Sequence, residues 1–243
     1  MKRYLIFMGL LLLFGLSSEV MSANMISNAE TLCKQGEDKL YLQDYKGAIK
    51  DFTKAIQLNP KLAAAYCDRG LAKCYLGDFS GAIKDTTRAI QLNPKYAIAF
   101  NNRGLAKANL KNYSGAIKDY SIAIQINPQL AAAYDGRGYV KLCLHDYKGA
   151  IKDHTKAIQL EPQLATAYNN RGLARFYLQD YAEAVKDYSK AIQLNSSFAT
   201  AFYNRGISKS YLGNKTGALE DLNKAKNLGC LPALEAIKLI QSK

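Results

Sequence analysis

The sequence predicts an all-α fold, a solenoid of stacked helical hairpins, and three observations carry that expectation. A break recurs every 34 residues, at Asn59-Pro60, Asn93-Pro94, Asn127-Pro128 and Glu161-Pro162, and Asn195-Ser196 keeps the phase after the proline is lost. Between breaks, small and apolar residues return at helical spacing in two separate runs. Turn signals such as Gly77-Asp78 and Gly213-Asn214 divide the two runs. Repetition at this period marks an architecture in which each unit buries its apolar face only against its neighbours.

Taken in order, residues 1–23 stand apart from the repetition. Lys2 and Arg3 precede an uncharged run from Tyr4 to Leu16, and small residues Ser22 and Ala23 close the segment, which is the order of a signal peptide. The run is too short for the ~20 residues a membrane-spanning helix needs. The mature chain is therefore expected to have no transmembrane span and to work outside the cytoplasm, periplasmic or secreted.

Six repeats follow, at 29–62, 63–96, 97–130, 131–164, 165–198 and 199–232. Position 4 is Leu32, Tyr66, Phe100, Tyr134, Tyr168 and Phe202; position 8 is glycine from Gly36 to Gly206. Positions 20 and 27 are alanine throughout, from Ala48 and Ala55 to Ala218 and Ala225. Positions 4, 8 and 11 share one face of a first helix, and 20, 24 and 27 share one face of a second. Small residues at 8, 20 and 27 let the pair approach closely, and the large ones at 4 and 24 fill the space beside them.

This pattern, with proline at position 32, resembles the tetratricopeptide repeat, and the resemblance covers residues 29 to about 232. It implies a right-handed superhelical α-solenoid of six helix-turn-helix repeats plus a C-terminal capping helix in 233–243, with Leu234, Ile237 and Leu239 or Ile240 turned to the last repeat. It implies protein–protein interaction and no catalysis. Two charged positions depart from the usual pattern. Position 7 is Arg69, Arg103, Arg137, Arg171 and Arg205, and position 23 is aspartate in every repeat, from Asp51 to Asp221. Both flank the core stripe, so a ladder of Arg–Asp pairs is expected, shared with the bases at position 11.

The family resemblance makes the first helices the lining of a groove. The residues on that arc are Tyr75, Asn101, Asn102, Leu105, Tyr139, Asn169, Asn170, Leu173, Tyr177, Asn204, Ile207 and Tyr211. Apolar anchors beside carboxamides suit an extended polypeptide, whose main chain an asparagine can both donate to and accept from. The alternative is that these side chains pack between first helices or are merely solvated. Some family members clamp a C-terminal carboxylate with Lys and Asn in their first repeats. Here the corresponding places hold Cys33, Glu37 and Asp68, which repel a carboxylate.

Net charge is +13, and much of it sits elsewhere. Lys50, Lys54, Lys84, Arg88, Lys118, Lys152, Lys156, Lys186, Lys190 and Lys224 occupy positions 22 and 26, opposite the core stripe of the second helices. Such a stripe is a solvated face or a dock for an anionic envelope polymer or lipid. Nucleic acid is disfavoured, because no aromatic residues interleave the bases for stacking. Cysteines 33, 67, 74, 143 and 230 are too far apart or too isolated to pair, which predicts free or buried thiols. Cys143, His145 and His154 converge with no third group, and His154 at position 24 is expected in the core. The sequence thus predicts no enzyme, no cofactor and no metal site.

Overall fold

The computed structural model describes residues 25–242; the segment read as a signal peptide, 1–23, lies outside the described residues. Among the described residues every regular element is an α-helix. The order is α1 (25–41), α2 (Tyr45–Leu58), α3 (Ala63–Tyr75), α4 (Phe79–Leu92), α5 (Ala97–Asn109), α6 (Tyr113–Ile126) and α7 (Ala131–Cys143). Then come α8 (Tyr147–Leu160), α9 (Ala165–Tyr177), α10 (Tyr181–Leu194), α11 (Ala199–Tyr211), α12 (Lys215–Asn227) and α13 (Pro232–Gln241). They form two compact blocks, one ending at Lys111 and the other beginning at Asn112. In the first block α3 pairs with α4 and lies beside α5; in the second α7 pairs with α8 and α9 with α10, and α9 lies beside both α7 and α11.

The turns explain why each hairpin closes. Position 15 has left-handed backbone in every repeat: Gly77 and Gly213 at φ 82° and 78°, and Gln43, Lys111, His145 and Gln179 between 60° and 63°. A left-handed residue ends a helix by releasing its last carbonyls to the turn. The next residue caps the second helix. Asp44, Asp78, Asn112, Asp146, Asp180 and Asn214 each accept a bond from the backbone N–H three residues on. Glu183 supplies the longest of these bonds, at 3.4 Å. Asn59, Asn93, Asn127 and Asn195 close the opposite break by accepting from the N–H two residues ahead.

Within a hairpin, the glycine at position 8 seats the large residue at position 24. A Cβ on Gly36 would stand 2.6 Å from the Phe52 ring, and one on Gly172 2.8 Å from the Tyr188 ring. His154 is fully buried at position 24, as expected of a core residue, with Nδ1 2.8 Å from Asp135 Oδ1.

The charged ladder is formed and is richer than the sequence suggested. Arg137 donates from Nε and Nη2 to the two oxygens of Asp153, both at 2.8 Å, and Lys141 adds a third contact at 2.8 Å. Arg69, Arg171 and Arg205 grip Asp85, Asp187 and Asp221 in the same bidentate way. The first repeat has no arginine at position 7, and Lys39 pairs with Asp51 instead. Each arginine also reaches back. Nη1 of Arg69, Arg103, Arg137, Arg171 and Arg205 donates to Thr53, Thr87, Ser121, Thr155 and Ser189, the hydroxyl at position 25 of the preceding repeat. One guanidinium therefore fixes both the hairpin and its register on the repeat before it. Burial raises the Asp153 pKa, but the hydrogen bonds from Arg137 and Lys141 outweigh it and hold the carboxyl below its ordinary value.

The closing helix α13 corrects one expectation. Its buried face is Ala233 and Ala236, with Ile237 and Ile240 packed beside them, whereas Leu234 and Leu239 are exposed. The stripe follows i, i+3, i+4, i+7 spacing from Ala233, the residue after the proline that starts the helix.

Candidate functional site

The twelve residues singled out in the sequence lie on α3, α5, α7, α9 and α11, and they divide into three groups by exposure. Tyr75, Tyr139, Tyr177 and Tyr211 are exposed, between 49 and 63 %. Leu105, Leu173, Ile207, Asn101, Asn170 and Asn204 are half-buried. Asn102 and Asn169 are buried, at 3 and 6 % exposure. These last two differ from the expected role. Asn102 donates to Cys67 Sγ at 3.4 Å, from α5 to α3, and Asn169 accepts from Asn204 at 3.1 Å, joining α9 to α11. Position 5 or 6 faces the adjoining first helix closely enough that a short carboxamide is consumed there. The carboxamides left nearer the surface are Asn101, Asn170 and Asn204, and Asn101 Oδ1 is a buried acceptor with no hydrogen-bond partner.

Three of the exposed tyrosines, Tyr75, Tyr177 and Tyr211, are held in place by ring contacts. Tyr45 stacks on Tyr75 in the first block, with centroids 4.7 Å apart. In the second block Tyr147 stacks on Tyr177 at 5.0 Å and Tyr181 on Tyr211 at 4.8 Å. Phe176 touches Tyr177, Tyr181 and Tyr211 edge-on, so five rings form one connected band. The register is constant: position 17 of one repeat stacks on position 13 of the next. Held rings present apolar area at little further entropy cost. Beside Tyr211 a cleft of about 260 Å³ opens between α11 and α13, lined by Tyr203, Ile207, Ala236, Leu239 and Ile240 among others.

The cysteines are free: Cys33, Cys67 and Cys74 are buried, and Cys143 and Cys230 are half-buried. Burial, and then the charge of Asp68, push the Cys33 and Cys67 thiols up to about 12, so neither is an activated nucleophile. Burial also raises Asp68 itself to about 7, with Glu37 adding to the shift. The basic residues at positions 22 and 26 are exposed or half-exposed, on the opposite side of the even-numbered helices from the core. No helix among the described residues is long and apolar enough to cross a membrane.

Comparison with known proteins agrees with the repeat fold. The family model described as "Tetratricopeptide repeat" matches residues 97–130 and 165–198, and one described as "TPR repeat" matches 36–73. The chain is a tetratricopeptide-repeat protein. Solved tetratricopeptide structures share the fold. A chain of the APC/C hetero-tetramer Cut9–Hcn1 superposes with a TM-score of 0.82 at 17 % identity over 91 % of this chain, which spans 45 % of that one. PilF of Pseudomonas aeruginosa gives 0.77 at 16 % identity, with 90 % of this chain and 99 % of that chain covered. YrrB, described as a TPR protein with an unusual peptide-binding site, gives 0.60 at 24 % identity over 77 % of this chain and 97 % of its own. No curated protein matches the sequence at a significant level.

Three features of the site were missed in the sequence. The Ser/Thr series at position 25 was visible as a column, but its partner lay one repeat ahead. The rings at position 17 were not singled out, yet Tyr45, Tyr147 and Tyr181 stack on position 13 of the next repeat. Cys33, Glu37 and Asp68 were read only as a failed carboxylate clamp, although they converge.

Proposed function

We propose that this tetratricopeptide protein is a non-catalytic scaffold, exported from the cytoplasm, that holds an extended polypeptide along the exposed face of its first helices. The observation that carries the reading is the ring band of the second block, Tyr147, Tyr177, Phe176, Tyr181 and Tyr211, left half-open to solvent beside an apolar cleft. Fixed aromatic area next to a pocket is the composition of a binding hot spot. Asn170 and Asn204 lie on the same face to meet a main chain, and the side chains of the partner would enter between the tyrosines. Export rests on the charge-then-apolar order of residues 2–16.

The rival is electrostatic docking of an anionic polymer or lipid on the exposed bases of the second helices. Peptides selected from a random display library against the mature chain would be titrated into it and into Tyr177→Ala/Tyr211→Ala. A loss of tenfold or more, persisting from about 50 to about 300 mM salt, is expected. Equal binding by the two proteins that collapses over that salt range contradicts the groove and moves the site to the lysine face.

A further inference from the structure

Three metal-ligating side chains converge on the first-helix face of the first block. Cys33 and Glu37 lie one turn apart on α1, and Asp68 comes from α3; one ligand atom of each lies within 4.8 Å of the other two. Cys33 is 6 % exposed, at the edge of the core cluster of Ala48, Phe52 and Ala55, and its thiol donates to Glu37 Oε1 at 3.8 Å, inside the cluster. The thiol thus lies where the core meets the two carboxyls.

The arrangement is electrically unbalanced. Asp51, Asp85, Asp153, Asp187 and Asp221 each hold a lysine or arginine. Among the described residues Glu37 and Asp68 enter no ion pair, in a chain whose bases exceed its acids by thirteen. The fold does not demand these residues. Position 9 is Leu, Leu, Tyr, Leu and Ile in the later repeats, and position 6 is Asn in three of them. The first two repeats place a thiol and two carboxyls together at positions 5, 6 and 9, where the later ones hold mostly carboxamides and apolar groups, Asp135 at position 5 of the fourth repeat being bonded to His154 instead.

We propose that Cys33, Glu37 and Asp68 bind a zinc-class divalent ion. Ligand atoms 2.0–2.3 Å from a tetrahedral zinc lie roughly 3.3–3.8 Å apart. The present spread closes to that with shifts of about 1 Å, which the exposed Glu37 and the half-buried Asp68 can make by rotation. The thiol selects against magnesium and calcium, which take oxygen ligands, and favours zinc, cadmium or cobalt. Binding displaces the Cys33 proton, and the ion supplies the positive charge that the cluster lacks. Three protein ligands leave a fourth position for water or a donor from a partner.

The test is a cobalt titration of the reduced mature chain, followed by displacement with zinc. One equivalent is expected, with a thiolate-to-cobalt charge-transfer band that zinc abolishes. Cys33→Ser should lose the band. Glu37→Gln, whose side chain is exposed and whose fold is therefore secure, should bind at least tenfold more weakly. A wild-type chain without the band at about 100 μM cobalt overturns the proposal. So does an unchanged band in Cys33→Ser, or unchanged affinity in Glu37→Gln.

Discussion

At the scale of single residues the protein is organised by one guanidinium at position 7 of each repeat from the second to the sixth. Arg137 bridges Asp153 of its own hairpin and Ser121 of the preceding repeat, and packs over the Tyr134 ring with 5.8 Å to the centroid. Removing it leaves Asp153, only 3 % exposed, with Lys141 as its one remaining ion-pair partner among the described residues. Arg137→Ala is expected to cost about 3 kcal/mol in urea unfolding, and the double change Arg137→Ala/Asp153→Leu to cost less than the single one. Acid should act through the same carboxyl. The folded-state pKa of Asp153 lies below its unfolded value. Its contribution is thus complete above the unfolded value near 4 and disappears as pH falls through the folded one. Asp68 has the opposite sign. Its pKa is raised from 3.8 to about 7, so stability is lost as pH rises between those values. In the metal-free protein Asp68→Asn should remove that loss and raise Tm at pH 8 but not at pH 4.

Elements are closed by caps rather than by helix propensity alone. Asp146→Ala should cost about 1 kcal/mol of stability, because Gly149 N–H then loses its acceptor. Gln179→Gly should gain roughly 0.5–1 kcal/mol, since Gln179 holds φ 63° where glycine carries no Cβ penalty. Both are read from thermal or urea melts. The helices themselves were legible in the sequence because every repeat restates the same small-residue columns, and the alanines at 20 and 27 are buried as that implied. Contacts between repeats were less legible. A Thr53 hydroxyl bonded to Arg69, or a Tyr147 ring stacked on Tyr177, joins residues 16 or 30 apart, and helical periodicity inside one repeat carries no trace of such pairs. The face of α13 was misjudged for a related reason: hydrophobicity favoured Leu234 and Leu239, but the approach to α12 leaves room for alanines.

For the whole molecule, a stack of repeats supplies a surface and the identity of the residues on it decides the partner. Of the candidate residues, Tyr75, Tyr177 and Tyr211 at position 13 and Tyr139 at position 9 are exposed, and Leu105, Leu173 and Ile207 at position 9 are half-buried. The carboxamides are partly engaged: Asn102 and Asn169 are buried in bonds to neighbouring helices, Asn204 donates to Asn169, and Asn101 and Asn170 are half-buried. The excess of bases gives a long-range attraction to acidic partners that salt screens, whereas contacts at the ring band are short-ranged and persist. The central claim is that the ring band, not the lysine face, touches the partner. It is tested most directly by placing a photo-crosslinking phenylalanine analogue at Tyr177 in one protein and at Lys152 in another, and irradiating each in the extracytoplasmic fraction of its own cells. A discrete polypeptide adduct from position 177 alone is the expected result. An adduct from position 152 with none from 177 would contradict the account.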